Sequence, residues 1–189
     1  MDHPAVRRVL DAALRKGVTL EVVAFDESTH TAQEAATAVD AELGQIVKSL
    51  VFVAPQGEGD LEAIICLVSG PDRVDVARLA AVAAEPEIRR ATAREADELT
   101  GFTIGGIPPI GHLRPLRVFM DPGLGRFPIV WAAAGLPTAV FAVPPATLRI
   151  LANATVAPIT EERRAADVEA ASIDAPASAV GLSSQNAGA

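Results

Sequence analysis

Residues 46–54 read IVKSLVFVA and residues 61–69 read LEAIICLVS, and these two apolar runs decide the fold. Both are rich in the β-branched and aliphatic residues that favour buried strands, and the Pro- and Gly-containing segment between them favours a turn. The sequence therefore predicts a hairpin of two buried strands.

Further strands and helices are predicted on both sides of this hairpin, from turn residues and from the spacing of apolar residues. Strands are expected at 18–25, 116–120, 129–134 and 138–143, and helices at 6–14, 32–43, 74–84 and 146–151, with a short amphipathic segment at 86–99. Because these elements lack a regular βαβ rhythm, we predict an α/β fold of the α+β type. Helices are expected to surround a mixed, curved, barrel-like sheet.

The composition indicates one domain followed by a tail. Half of the 189 residues are hydrophobic, but no apolar run approaches the roughly 20 residues that a membrane span needs. Residues 1–160 are predicted to form the domain, and residues 161–189 a fraying helix and a disordered tail. The single cysteine, Cys66, permits no internal disulfide, and no signal peptide is recognisable; both points favour the cytoplasm.

The net charge of −8 argues against a protein that grips long nucleic acids by charge, because neutralising phosphates needs clustered Lys and Arg. A local basic mouth that takes only the end of an RNA is compatible with this charge. Recruitment by another protein is compatible with it as well.

Lys48 is the first candidate functional residue, because it interrupts an apolar strand pattern. A buried ammonium group is costly, so two arrangements are open. The side chain can lie on an outward face with its stem packed, or it can point into a pocket toward a phosphate or carboxylate. Ser49 follows it and is expected on the opposite face of the strand.

The second candidate is the loop GGIPPIGH at residues 105–112. Gly105, Gly106 and Gly111 allow positive φ and close approach of the backbone to a ligand, while prolines such as Pro109 stiffen the loop. The exposed N–H groups could stabilise a negative charge on a substrate oxygen. A tight structural turn is the alternative.

Four further residues are candidates for substrate contact, each with a plain structural alternative. His30 and His112 flank predicted loops, Asp121 follows a strand and suits an Asx turn, and Gly135 lies in a turn. No HxxxH or Cys/His spacing suggests a metal site. The GxSxG, GxxxxGK[ST] and GxGxxG motifs are absent, which excludes the common serine hydrolases, P-loop NTPases and Rossmann dehydrogenases.

The order of these pieces resembles the YbaK/EbsC family of aminoacyl-tRNA deacylases, which includes the editing domain of bacterial prolyl-tRNA synthetases. The resemblance spans about residues 5–160 and is carried by TAQEAATAVDAELG, IVKSLVF, FTIGGIPPIGH, RVFMD and WAAAGLPTAVF. Cysteine-specific members often carry a serine within the segment occupied here by residues 132–134, which are all alanine.

The resemblance implies a trans-editing hydrolase that removes a wrong amino acid from tRNA, and the expected substrate is tRNA-Pro or a related tRNA. It implies that Lys48 holds the terminal nucleotide or its phosphate and that residues 105–109 surround the ester. A water, or the substrate's own thiol, would attack the ester without a metal or other cofactor, and backbone N–H groups would stabilise the developing charge. The expected partners are the aminoacyl-tRNA 3′ end and an aminoacyl-tRNA synthetase, with no membrane and no DNA.

Two other functions fit the same residues. One is a non-catalytic module of this fold that captures tRNA ends or a synthetase. The other is a binder of a small nucleotide or an aminoacyl-adenylate-like ligand in the same cleft.

Overall fold

A computed structural model describes residues 3–25, 31–57 and 59–162. His30 and nearly all of the predicted tail, residues 163–189, therefore lie outside the described residues. Within the described ranges no helix combines the length and the apolar character that crossing a bilayer requires.

The described chain folds into two sheets with five α-helices around them. The strands are β1 Val22–Ala24, β2 Val47–Pro55, β3 Leu61–Ser69, β4 Arg89–Arg90, β5 Arg117–Met120, β6 Val130–Leu136, β7 Ala139–Val143 and β8 Thr155–Val156. The α-helices are α1 Pro4–Leu14, α2 Ala32–Ala38, α3 Val76–Ala83, α4 Ala93–Thr100 and α5 Pro145–Ala152. Two short 3₁₀ turns lie at Leu43–Gln45 and Pro122–Arg126.

The predicted central hairpin is confirmed. β2 and β3 pair antiparallel along their whole length, from Val47 opposite Ser69 to Pro55 opposite Leu61. They lie inside a five-stranded sheet of order β4-β2-β3-β5-β8, in which β3–β5 and β5–β8 are parallel. The second sheet has the order β1-β7-β6 and is antiparallel.

The mixed α+β class is confirmed, but the sheet does not close into a barrel. Between the two sheets there is one isolated parallel bridge, from Ile46 to Trp131. Further along the same edge β2 pairs with β4, and only Phe52 and Val53 of β2 take part in this pairing. The two sheets therefore diverge along β2, and part of its edge has no neighbouring strand among the described residues.

Two predicted elements are shorter in the structure. β1 begins at Val22 instead of residue 18, because the pairing with β7 begins at that residue. α2 ends at Ala38 instead of residue 43, and Asp40 adopts a left-handed conformation with φ of 52°. Gly44, in the following 3₁₀ turn, packs under the Phe127 ring, and a Cβ there would lie 2.4 Å from that ring.

The larger core lies between the two sheets and α1. Its members come from both sheets and both chain ends of the domain, including Val9, Ile65, Phe102, Phe141 and Leu148. A smaller core on the other face of the five-stranded sheet is covered by α3. Burial of apolar area in these two cores is the main force that fixes the sheets relative to each other.

Asp121 ties the C-terminal part of the domain to the five-stranded sheet. It is 4% exposed, and one carboxylate oxygen accepts a hydrogen bond from the Gly123 N–H at 2.8 Å. The other oxygen accepts from the Ile159 N–H at 3.1 Å and the Thr160 hydroxyl at 2.9 Å. The structure thus gives Asp121 the structural role of an Asx turn that the sequence offered as the alternative to substrate contact.

We expect the substitution Asp121→Asn to lower the free energy of unfolding by about 2–4 kcal/mol, because an amide cannot accept all three hydrogen bonds. Urea denaturation would measure the change. Asp11→Asn, at an exposed position on α1, is the matched control and should stay within about 0.5 kcal/mol of wild type. A D121N protein as stable as this control would contradict the role of the carboxylate.

Candidate active site

A cavity of about 230 Å³ opens where the two sheets diverge along β2. Its floor is the outer face of the β6–β7 hairpin, and α2, β2, the β4–α4 segment and the Gly/Pro loop form its walls. The lining residues are Thr31, Ala32, Ala35, Ile46, Val47, Lys48, Ser49, Leu50, Val51, Arg90, Ala91, Ala96, Ile104, Gly105, Ile107, Trp131, Ala133, Leu136, Pro137 and Val140.

The cavity exposes main-chain groups of β2. On this edge, the bridge from Ile46 to Trp131 marks one end and the hydrogen bond from the Ala91 N–H to the Val51 oxygen, at 3.0 Å, marks the other. No described strand pairs with β2 between these two points. Backbone N–H and C=O groups without a strand partner are ready-made sites for a polar ligand or water.

Both predicted residues of β2, Lys48 and Ser49, line this cavity. Strand alternation places them on opposite faces, as the sequence predicts. Both residues nevertheless line the same cavity, because the cavity extends around the edge of the strand and does not lie against one face only.

The Lys48 ammonium group donates a hydrogen bond to the main-chain oxygen of Asp72, in the turn between β3 and α3. Burial lowers the pKa of Lys48, the charge of Asp72 opposes this shift, and the charges of Arg90 and Arg73 lower the pKa further. The stem of Lys48 is therefore packed, and its amine is bound to the main chain of the β3–α3 turn. Lys48 lines the cavity, and its contact with a phosphate or carboxylate stays a prediction.

The Ser49 hydroxyl is buried and has no hydrogen-bond partner among the described residues. A buried polar atom without a partner costs about 1–3 kcal/mol. Ser49 lines the cavity, but its hydroxyl oxygen is covered by other atoms. A rotation of the side chain would let a ligand or a water molecule in the cavity satisfy this hydroxyl.

The two glycines that open the Gly/Pro loop play different roles. Gly105 lines the cavity in a left-handed conformation, with φ of 93°. Gly106 faces away from it, and its N–H donates to the Thr103 oxygen at 3.1 Å. A Cβ at Gly106 would lie 2.7 Å from the backbone of Leu136, so this glycine is required for packing against the β6–β7 hairpin. The sequence-based interpretation of the Gly106 N–H as a substrate donor conflicts with that hydrogen bond.

Three other predicted residues of the loop, Pro109, Gly111 and His112, line a separate cavity on the side of α1 and α5. The His112 Nε2 contacts the Pro108 oxygen at 2.9 Å, and its ring packs edge-on against Phe102 with centroids 6.1 Å apart. Burial lowers the pKa of His112 to about 4, an effect that the Pro108 hydrogen bond opposes and the charge of Arg8 reinforces.

Gly135 also lies away from the cavity. Its φ is 97°, and a Cβ there would lie 2.9 Å from the Ala5 oxygen in α1. This glycine therefore permits α1 to pack closely on the β6–β7 hairpin, and the structure does not bring it to the residues that line the first cavity.

The sequence interpretation missed Arg90 and Trp131. Arg90 lies on β4 and reaches the cavity over the Phe52 ring, with 6.0 Å from its guanidinium carbon to the ring centroid. It forms no ion pair with a described carboxylate, whereas the adjacent Arg89 binds both oxygens of Glu95 at 2.7 and 2.9 Å. The sequence did contain one signal for Arg90. The pair Arg89–Arg90 lies just before the capping box of Thr92 and Glu95, and this capping box fixes where β4 ends and α4 begins.

The described lining of the cavity contains two cations and no carboxylate or imidazole. Its remaining walls are mostly small or aliphatic side chains. Within the described ranges no group of three or more His, Cys, Asp or Glu residues is placed to hold a metal ion. The arrangement suits a ligand with a negative charge at the mouth and a small uncharged group inside.

Comparisons with known proteins identify a family, a similar solved structure and similar sequences. Residues 26–151 match the sequence profile of a family described as the aminoacyl-tRNA editing domain. A solved structure of a candidate trans-editing enzyme for prolyl-tRNA synthetase is 46% identical, with a TM-score of 0.78, and the match covers 86% of this chain and 100% of that one.

Two similar sequences come from bacteria. The uncharacterized protein YwhH of Bacillus subtilis (strain 168) is 32% identical over 115 residues, 61% of this chain and 70% of YwhH. The proline–tRNA ligase of Limosilactobacillus reuteri (strain DSM 20016) is 26% identical over 92 residues, 49% of this chain. The matched segment spans only 16% of the length of that ligase.

The buried imidazole of His112 predicts a pH dependence of stability. Its pKa is lowered from 6.5 to about 4 in the folded chain, so between these values only the unfolded chain binds a proton at this residue. The free energy of unfolding therefore falls as the pH drops through this window, by at most about 3 kcal/mol from this group.

His112→Gln keeps an Nε2–H donor for the Pro108 oxygen but does not titrate. We expect its stability to decline less steeply than that of wild type between about pH 6.5 and pH 4. Urea denaturation at several pH values in this range would measure both slopes. Equal slopes for the two proteins would show that the imidazole titrates normally in the folded state.

Proposed function

The chain belongs to the aminoacyl-tRNA editing domain family, and we propose that it hydrolyses the ester that joins a wrongly attached amino acid to the 3′ end of a tRNA. The editing role and its aminoacyl-tRNA substrate follow from the family. The choice of tRNA-Pro or a related tRNA, the metal-free mechanism and the residue roles are parts of the proposal. The names of the similar prolyl-tRNA synthetase proteins support that choice of tRNA.

One observation carries the proposal: Lys48, Ser49, Arg90 and Gly105 line one open cavity. A cation at the mouth can bind the phosphate of the terminal nucleotide. Arg90 is assigned this contact, because it has no described carboxylate partner and its planar guanidinium can bind two phosphate oxygens. Lys48, which is already bound to Asp72, is assigned to the ribose side of the same nucleotide.

The ester lies between the cations and the apolar walls in this proposal. A water molecule attacks the carbonyl carbon, the bond to the ribose oxygen breaks, and that oxygen receives a proton, so that a free amino acid and an uncharged tRNA leave. The Gly105 N–H has no acceptor among the described residues, and it is assigned to the carbonyl oxygen as negative charge develops there. The Ser49 hydroxyl and the open edge of β2 are assigned to holding the water.

The apolar walls indicate which amino acids the cavity would accept. Ala35, Ala133 and Val140 offer no partner for a charged side chain. Burying an uncompensated charge is costly, so the substrate is proposed to carry a small, uncharged amino acid.

One observation favours a second function. No acid or base other than the two cations lines the described part of the cavity, and such a site could bind a tRNA end or a small nucleotide without turnover. Binding of an aminoacyl-adenosine analogue without hydrolysis of any aminoacyl-tRNA would support this binding module over the hydrolase.

A panel of tRNAs mischarged with different amino acids tests the hydrolase. We expect wild type to deacylate at least one of them, with unchanged rate in the presence of a metal chelator. Arg90→Gln should raise KM by about tenfold or more, because one charge-assisted contact to a phosphate is lost. Lys48→Ala should lower kcat/KM by a similar factor.

Arg89→Gln is the matched control, since Arg89 lies beside Arg90 but is bound to Glu95 outside the cavity. Its exposed ion pair contributes little to stability, so its kinetics should remain within about twofold of wild type. Equal kinetics for R90Q and R89Q would contradict the phosphate role of Arg90. If no tRNA in the panel is hydrolysed, the proposed hydrolase activity is overturned.

Filling the cavity tests where the amino acid lies. Ala133→Leu should abolish deacylation while the protein stays folded, because the larger side chain occupies the space between the β6–β7 hairpin and β2. Ala146→Leu, at an exposed position on α5, is the control and should keep wild-type activity.

Trp131 gives a direct measurement of binding for the same variants. It is the only tryptophan of the chain, which has no tyrosine, and it lines the cavity. A non-hydrolysable 3′-aminoacylamido-adenosine should change its fluorescence in wild type and A146L but not in A133L. Undiminished binding and activity in A133L would place the amino acid elsewhere.

A further inference from the structure

The Gly/Pro loop is closed at its base by Thr100, the last residue of α4. The Thr100 main-chain oxygen accepts a hydrogen bond from the Leu113 N–H at 3.2 Å. Its buried hydroxyl accepts from the Phe102 N–H at 3.1 Å and donates to the Ala96 oxygen at 2.6 Å. The loop is thus of the Ω type, with ends close together and its own side chains inside.

Arg8, on α1, contacts both ends of this closed loop. Its guanidinium donates a hydrogen bond to the Gly101 oxygen, and its Cζ lies 4.0 Å from the centroid of the Phe102 ring. At the other end, Gly111 packs on the helix backbone, where an added Cβ would lie 3.1 Å from the Arg8 oxygen. A stacked guanidinium with a hydrogen bond is a directional contact, which a lysine cannot reproduce.

The contacts continue from Arg8 into the middle of the loop. Phe102 meets the His112 ring edge to face at 82°, and His112 binds the main-chain oxygen of Pro108 at 2.9 Å. Pro108 directly follows Ile107, which lines the cavity. A continuous chain of contacts therefore links α1 to residues 104–107, of which Ile104, Gly105 and Ile107 line the cavity.

None of Arg8, Phe102 and His112 lines the cavity itself. Moreover, α1 precedes residue 26, where the match to the family begins. The matched segment of the family therefore contains the loop but lacks the helix that holds it.

We propose that Arg8, Phe102 and His112 form a clamp that fixes residues 104–107 against the cavity. Arg8 is then a positioning residue, and its role in catalysis rests on the hydrolase proposed above. The clamp supplies an ordered main chain at Gly105 before the substrate binds. Misplacing a positioned group by about 1 Å can cost up to a hundredfold in rate, so loosening the loop lowers kcat more than it changes KM.

Three variants of the full-length chain test the clamp. Arg8→Met removes the charge and the hydrogen bond, and Arg8→Lys keeps a charged donor but loses the planar group that stacks on Phe102. Arg149→Met is the control, because Arg149 is an exposed arginine on α5 that does not line the first cavity. Hydrogen–deuterium exchange of the hydrogen-bonded loop amides, those of Phe102, Gly106 and Leu113, is measured for each, with the amides of the β2–β3 hairpin as the internal reference.

We expect the loop amides of R8M to exchange about tenfold faster, with hairpin amides unchanged, because a local opening has become easier. R8K should lie between R8M and wild type, and R149M should match wild type. On a mischarged tRNA that wild type hydrolyses, R8M should lose about tenfold in kcat with KM within about twofold.

Wild-type exchange of the loop amides in R8M would overturn the clamp. So would equal acceleration of loop and hairpin amides in both R8M and R8K, because Arg8 would then contribute only to global stability. Failure of wild type to hydrolyse any tRNA would contradict the proposed hydrolase activity. The exchange rates alone would then decide whether Arg8 fixes the loop.

Discussion

The interrupted pairing of β2 is the constraint on which the candidate site depends. A central strand normally has hydrogen-bonded neighbours on both edges, and an unpaired stretch exposes polar groups that need another partner. Here β3 covers one edge of β2 completely, while β4 and β6 meet the other edge only at its two ends. The cavity exists because those two neighbours belong to different sheets that diverge from this strand. The same geometry explains why side chains from both faces of β2 share one space.

The sequence predicted the parts of the site that depend on local pattern. The hairpin, the lysine within it and the long Gly/Pro loop could each be recognised from apolar runs and breaker residues, and Lys48 and Gly105 do meet at one cavity. The free edge of β2 could not be recognised, because it depends on where β4 and β6 pair, and such non-local pairing leaves no local signature. For the same reason the predicted barrel-like sheet is wrong in its closure and right in its mixture of strand directions.

Residues of the loop illustrate a second limit of sequence reasoning. Adjacent glycines look equivalent in the sequence, yet Gly105 faces the cavity and Gly106 packs on Leu136. A histidine beside a glycine-rich loop suggests acid–base chemistry, yet His112 is buried against Phe102 and Pro108. In both cases the tertiary contacts of α1 and the β6–β7 hairpin decide the role. Arg90 was missed for the opposite reason, since one arginine of an exposed pair gives no local sign that it faces a cavity.

The two-residue strand β4 determines where residues can be inserted near it without turning Arg90 away from the cavity. Arg89 and Arg90 point in opposite directions because they are neighbours on a strand, and two paired residues alone fix that orientation weakly. Which of the two arginines faces the cavity is set instead by the helix cap at Thr92, two positions after Arg90. Insertions in the segment before residue 89 would leave the arginine at the cavity, whereas one residue added between Arg90 and Thr92 would exchange the two arginines. The number of residues between β4 and this helix cap therefore decides which arginine a relative presents to the cavity, whereas the length of the segment before β4 does not.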